Sequence, residues 1–503
     1  MRGTLRYNAP MANPPIQHIF VLMLENRSFD HLLGFSGITG VDSVTGDPTS
    51  LNGLTGREAN TYNGQTYAVS KPVRTSMAFD PGHEFENVLE QLAGPGTPPQ
   101  LQAGGAYPPI RLSGFVASFA GSGGAEEPGE IMKCFDPAEI PVLATLAREF
   151  AVCDNWFSSI PGPTWPNRFF VVAGTSGGLD HSPSNKEIGE WELLRGFTIQ
   201  NGTIFDRDNL KSRIYCGGIL CIAQTLRNID FRDVHPYAMF ASDIYSRNEP
   251  YAQQFTFIEP DYGDFLGPYT GGTSQHPLDS ITGGERLIKE VYETIRNSRL
   301  WESSMLIVTW DEHGGFYDHV IPPAAPPPSD TIMTAGASRF GFDFATYGVR
   351  VPAVVISPYV EKNLIDHRLY DHTSVLATTR ELFGGDPFTA RDASAKSLLP
   401  LLARSEPRQD APRTLPEPVE QPLAPNQQIP DPDGPVHGAN LPGFLGAALR
   451  SHLVLAADHE RDSIYELVAG IQTRADACRY IRGIEQKIAA HRGRVPRADS
   501  STG

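Results

Sequence analysis

Residues 16–31 read IQHIFVLMLENRSFDH. A nearly continuous apolar run, Ile19 to Leu24, stops at Glu25 and Asn26. Unbroken rather than alternating apolarity is the pattern of a strand buried on both faces of a parallel sheet. In open α/β sheets, ligands collect outside the carboxyl ends of such strands. A carboxylate and an amide placed there are better explained by coordination than by packing, although ENRSFDH also holds the parts of a helix-capping turn.

Two further segments repeat the pattern. Met305–Trp310 is apolar and ends in Asp311-Glu312, followed by His313 and Gly314-Gly315. Val351–Ser357 (VPAVVIS) leads into the helical pattern SVLATTRELFG, and Leu287–Ser298 (LIKEVYETIRNS) is a helix feeding the 305–310 strand. Ile140–Phe150 is amphipathic, with Pro141 suited to a first helical turn. Strand and helix alternating in this way predict a doubly wound, mostly parallel α/β sheet. Residues 37–76, rich in Gly, Thr, Asn and Asp, read as a hairpin-bearing loop over the sheet edge. Residues 404–436 turn to Pro, Gln, Glu and Asp without periodicity, the composition of a linker or wrapping arm. Helical patterns return from about 441 to 492. The expected organisation is an α/β domain over 1–403, the arm over 404–436, and a helical extension over 437–503, docked or self-associating.

The chain of 503 residues is 40% hydrophobic, enough for a large core. Its 41 basic and 58 acidic residues give a net charge of -17, which disfavours nucleic acid and leaves no polybasic patch for anionic lipid. No apolar run has the length of a transmembrane helix. The start, MRGTLRYNAPMANPP, lacks an apolar signal core, so as written the product is expected in the cytoplasm unless a longer precursor has been trimmed. Five cysteines at irregular spacing argue against a disulfide framework or zinc ribbon. Cys216 and Cys221 flank GGIL and could pair across a turn.

Parallel strands would bring Glu25, Asn26, Asp311 and Glu312 to one sheet edge, where their oxygens could bind one hard divalent cation. Such ligands favour Mg, Ca or Mn. Without a cation, carboxylates this close would raise one another's pKa; the alternative is that each pair caps its own turn. Thr164, in GPTWPNRFF, falls near a helix N-terminus, where anions are favoured; locally its plainest reading is an N-cap. Arg168, one turn on, is a phosphate contact or a surface cation. His83 in DPGHEF, His276 in SQHP, and His313 and His319 in WDEHGGFYDHV lie in loops or at strand ends. Each could be a general acid, a ligand or a hydrogen-bonding strut. His372 is expected to cap the helix at Thr373–Ser374, and His18, His452 and His459 to be structural.

ENRSFDHLLG, GPTWPNR, SQHP, WDEHGGFYDHV and GVRVPAVVISPYV, in that order, resemble the phosphoesterase family that contains non-haemolytic phospholipases C and respiratory-burst-inhibiting acid phosphatases. The likeness runs from about Pro15 to Phe383. It implies an alkaline-phosphatase-like core, one metal ion and a covalent phospho-enzyme. Glu25, Asn26, Thr164, Asp311 and Glu312 would be ligands, with Thr164 also the nucleophile. His83 and His276 would contact phosphate or protonate the leaving group, and Arg168, His313 and His319 would bind substrate. The T-W-P-N-R stretch is similar to the C-x-P-x-R element of sulfatases, but threonine here replaces the cysteine that becomes formylglycine. The expected function is a metal-dependent phosphoric ester hydrolase of phospholipase C type acting on phospholipid-like diesters through a phosphothreonine. The alternatives are an acid phosphatase acting on monoesters and, in another class, a non-catalytic metal- or phosphate-binding protein.

Overall fold

The computed structural model describes residues 15–494, apart from 102–103, 194–195, 265–266, 268, 335 and 437–439. The opening apolar run is β1 (His18–Leu24), buried along its whole length. It belongs to a large sheet with β2 (Thr39–Asp42), β3 (Pro48–Ser50), β4 (Ala151–Cys153), β5 (Ser212–Cys216), β6 (Val234–Pro236), β7 (Phe255–Glu259), β8 (Ser304–Trp310), β9 (Ala353–Ile356) and β10 (Leu364–Asp366). Their spatial order is β3-β2-β10-β4-β9-β8-β1-β7-β5-β6. The helices of nine residues or more are α1 (Phe85–Ala93), α2 (Pro141–Glu149), α3 (Thr164–Ala173), α4 (Asn185–Leu193), α5 (Ile281–Arg296), α6 (Ser374–Phe383), α7 (Leu441–Leu455), α8 (Arg461–Ala469) and α9 (Arg474–Arg494).

The sheet is the doubly wound, mostly parallel α/β sheet that the sequence predicts. β1 runs parallel to both neighbours, β8 and β7, which explains why its apolar residues do not alternate. The 351–357 run forms a buried strand, but β9 is antiparallel to β8 and to β4. The described residues of 311–352 contain no helix, and the chain re-enters the sheet from the edge it left. A parallel return needs a crossover, usually helical, on one face. Of the 37–76 loop, β2 and β3 extend the main sheet and Ala59–Tyr62 pairs with Gln65–Ala68 as a separate hairpin.

Residues 404–436 form no helix or strand, and residues 411–421 of this arm lie along α5. Its side chains hold the arm's carbonyls: Arg296 donates to Ala411 O at 2.9 Å, Lys289 to Leu415 O at 2.8 Å and Thr282 to Val419 O at 2.9 Å. The helical region beyond splits into α7, α8 and α9. Leu441, Phe444, Leu445 and Leu449 of α7 are buried in the same apolar core as the sheet. No helix among the described residues is long and apolar enough to cross a membrane. Cys216 and Cys221 are both buried free thiols.

Glu285 of α5 is 1% exposed and accepts from the backbone N–H groups of Val142 (2.8 Å) and Leu143 (2.9 Å), in the first turn of α2. It satisfies two donors that a helix start leaves open. Glu285→Ala is expected to lower unfolding free energy by about 2–3 kcal/mol, because both N–H groups are left buried; urea denaturation measures it.

Candidate active site at the carboxyl edge of the sheet

β1 and β8 pair in register through Leu24 and Trp310, so Glu25 and Asp311 leave the sheet side by side. Glu25, Asn26, Asp311 and Glu312 are all fully buried. Asn26 turns the chain with a left-handed φ of 57°, a conformation asparagine tolerates better than most residues. Its backbone N–H donates to Asp311 Oδ1 at 3.0 Å. Its side-chain Nδ2 reaches Thr164 Oγ1 at 3.1 Å and Asp311 Oδ1 at 3.4 Å, and contacts Glu312 Oε1. Gly314 crosses over this turn, and a Cβ there would stand 2.2 Å from Asn26 O. Its φ of 65° also favours glycine.

Every residue of TWPNR has a physical task. Thr164 is the first residue of α3, not its N-cap: Pro163 caps, without a side-chain cap hydrogen bond. The N-cap expectation for Thr164 is therefore corrected, because its hydroxyl is engaged by Asn26 instead. The Trp165 indole N–H donates to Asn440 Oδ1 at 3.0 Å. Pro166 lies in the first turn, where its missing N–H costs nothing. Asn167 ties down the preceding turn through Ile160 N, Gly162 O and Pro163 O, each at 3.0 Å. Arg168 is 2% exposed and lies behind the cluster: its Nε donates to Asp311 Oδ2 at 2.9 Å, and Nη1 stands 3.6 Å from Glu259 Oε2.

Three of the four loop histidines gather at this edge. Arg27 donates to Gln275 O (2.8 Å) and His276 O (3.2 Å), which hangs the SQHP loop on the end of β1. His276 Nδ1 accepts from Leu278 N at 3.4 Å, so the ring proton sits on Nε2, which lies 3.7 Å from Asp80 Oδ2. His83 Nδ1 donates to Pro81 O at 2.8 Å. His313 bridges Glu312 Oε2 (3.4 Å) and Gln91 Oε1 (2.8 Å). His319 lies in a different network, 2.6 Å from Asp30 Oδ2 and 3.1 Å from Asn52 Oδ1. His372 does not cap α6. Its Nε2 donates to Asp311 O at 2.7 Å while Nδ1 accepts from the Trp156 indole at 3.2 Å, so its ring braces the β8 end.

Burial and the neighbouring Asp311 push the Glu25 carboxyl up to about 8. Asp311 rises to about 6 through burial and Glu312, against the pull of Arg168. Burial works against a charged His83, but Glu312, Asp80 and Glu84 outweigh it and hold the imidazole up to about 9. His276 is driven well below its ordinary value by burial, His83 and Arg27, and stays neutral. Glu25 Oε2 and Asn26 Oδ1 are buried without a hydrogen-bond partner among the described residues. A concentration of oxygen donors with unpartnered lone pairs and raised carboxyls fits a hard cation. Glu259, Asp80 and Asn440 escaped the sequence reading, which gave His372 only a capping role. Only Asp80, in DPGH, carried a visible signal; the others depend on distant partners.

A sequence profile described as the Phosphoesterase family matches residues 16–384. Non-specific phospholipase C6 of Arabidopsis thaliana is 35% identical over 494 residues, spanning 94% of this chain and 87% of that protein. Phospholipase C B of Mycobacterium tuberculosis is 28% identical over 418 residues, 73% of each. Among solved structures, an alkaline phosphatase superfamily protein from Vibrio parahaemolyticus is 12% identical, covers 69% of this chain and 82% of that one, and has a TM-score of 0.29.

Arg168→Met leaves Asp311 and Glu259 buried without their cation. Urea denaturation is expected to show a loss of about 3–5 kcal/mol, the usual cost of breaking a buried pair from one side.

Proposed function

The chain belongs to the Phosphoesterase family and is a hydrolase; from that premise we propose that it is a metal-dependent phosphodiesterase of phospholipase C type that acts through a phosphothreonine at Thr164. The observation that carries this reading is the buried cluster in which Asn26 gathers Thr164, Asp311 and Glu312 beside Glu25. Relatives named as phospholipases C support a phospholipid-like diester as the substrate.

Glu25, Asn26, Thr164, Asp311 and Glu312 would hold one divalent cation, Mg, Ca or Mn. When bound, that cation supplies Lewis-acid polarisation of the phosphoryl group and eases ionisation of the Thr164 hydroxyl. Thr164 Oγ1 loses its proton to solvent and attacks phosphorus; the new O–P bond forms as the bond to the leaving alkoxide breaks. His83, kept cationic by its three carboxylate neighbours, gives its proton to the leaving oxygen. Neutral His276 offers its Nε2–H as a hydrogen-bond donor to a phosphoryl oxygen. Water then attacks phosphorus and His83 recovers a proton from it; the bond from phosphorus to Thr164 Oγ1 breaks, Oγ1 takes back a proton from solvent, and a phosphomonoester leaves. His313, braced by Gln91, holds Glu312 in place.

The charge around the centre favours a diester over a monoester. Arg27 Nε and Nη2 are engaged by backbone carbonyls and Arg168 by carboxylates, and a diester brings one negative charge to the acidic cluster where a monoester brings two.

Thr164→Val is expected to keep the wild-type circular dichroism spectrum and lose p-nitrophenylphosphorylcholine hydrolysis by about a thousandfold or more. Retained turnover would exclude the covalent route. The wild-type enzyme should prefer that diester to p-nitrophenyl phosphate, lose activity in chelator, and regain it with Mg, Mn or Ca. Failure of all three metals would exclude the metal-dependent reading.

A further inference from the structure

Glu25 Oε1 accepts from Asn440 Nδ2 at 2.8 Å, while Oε2 has no hydrogen-bond partner among the described residues. Asn440 lies beyond residues 16–384, the span that the family profile matches. It immediately precedes α7 and is 2% exposed. Three of its four polar groups are turned toward the reaction centre, and the fourth, the backbone carbonyl, accepts from Phe444 N at 3.0 Å. The side-chain amide N–H donates to Glu25, the side-chain carbonyl accepts from Trp165, the residue after Thr164, and the backbone N–H donates to Tyr269 Oη at 3.1 Å. The Tyr269 ring in turn stacks on His276, with centroids 3.9 Å apart and planes 13° from parallel. Packing holds this arrangement shut: a Cβ at Gly443 would stand 1.7 Å from the Trp165 ring, so α7 lies directly on the indole.

We infer that Asn440 is a positioning residue of the catalytic centre, supplied by the C-terminal helical region, which orients the Glu25 carboxylate and locks it to the start of the nucleophile helix. The inference rests on the reading of Glu25 as a metal ligand. Donation to one carboxylate oxygen fixes the rotamer and leaves the other oxygen for the cation; carboxylate ligands are commonly oriented in this way. Asparagine suits the place because it offers a donor and an acceptor on one short side chain. A carboxylate could not donate to Glu25, and an aliphatic side chain could do neither.

The test measures divalent-cation affinity directly, by calorimetric titration of the metal-stripped full chain with Mn²⁺, beside kcat and KM for p-nitrophenylphosphorylcholine. N440L, close to asparagine in size, is expected to weaken Mn²⁺ binding by about 10- to 100-fold and to lower kcat more than KM. N440D keeps the acceptor for Trp165 but sets a carboxylate against Glu25, and should weaken Mn²⁺ at least as much. Trp165→Phe, which frees the amide without touching Glu25, should fall between N440L and wild type. In an E25Q background the additional effect of N440L on affinity should disappear, as required of a residue acting through Glu25. Wild-type Mn²⁺ affinity in N440L beside weakened binding in E25Q overturns the role of Asn440 alone. Wild-type affinity in E25Q overturns the ligand reading beneath it. If N440L unfolds, Trp165→Phe and N440D decide, and wild-type affinity in both rejects the inference.

Discussion

Everything at the carboxyl edge of the sheet depends on keeping Glu25, Asp311 and Glu312 ionisable while fully buried. Isolated charges are expensive inside a protein, and the usual response is to neutralise by proton uptake. Here one face of the cluster is compensated by the chain itself. Arg168 clamps Asp311 and stands against Glu259, while Glu259 also accepts from the backbone N–H groups of Ile222 (3.1 Å) and Ala223 (2.9 Å). The other face is left short of positive charge. The raised carboxyls of Glu25 and Asp311 express that deficit, which fits the proposed cation.

A second buried network keeps the two strand-end motifs from separating. Arg350, in GVRVPAVVIS, pairs with Asp30 of ENRSFDH and Asp318 of the 311–319 loop, each at 2.9 Å. Ser28 Oγ donates to Tyr317 O at 2.7 Å, and Phe29 N to Arg350 O at 3.0 Å. His319 joins this network through Asp30, which explains why it stands apart from the oxygen cluster. Three of the motifs that carry the family resemblance are thus bound to one another by buried ion pairs and backbone bonds. Such networks are costly when half satisfied, and this one is closed on all sides by named partners.

The C-terminal region belongs to the same physical unit. α7 buries its apolar face in the core of the sheet and sets Asn440 against Glu25 and Trp165. The arm before it is held to α5 by successive carbonyls, so its path across the molecule is specified by side chains of the sheet-covering helix rather than by its own composition.

The sequence by itself determined the class of fold and which polar side chains stand at the strand ends. A strand covered on both faces must be apolar throughout, and a run that breaks at Glu25-Asn26 or Asp311-Glu312 marks where the sheet ends; both signals are local. It also displayed TWPNR as a unit, though not which residue caps the helix. Tertiary structure alone decided that β9 runs antiparallel, that Thr164 answers to Asn26, that His372 braces Asp311, and that Asn440 reaches Glu25. Hydrogen bonds form between groups that meet in space, and the chain between Glu25 and Asn440 leaves no periodic trace of where its ends come together.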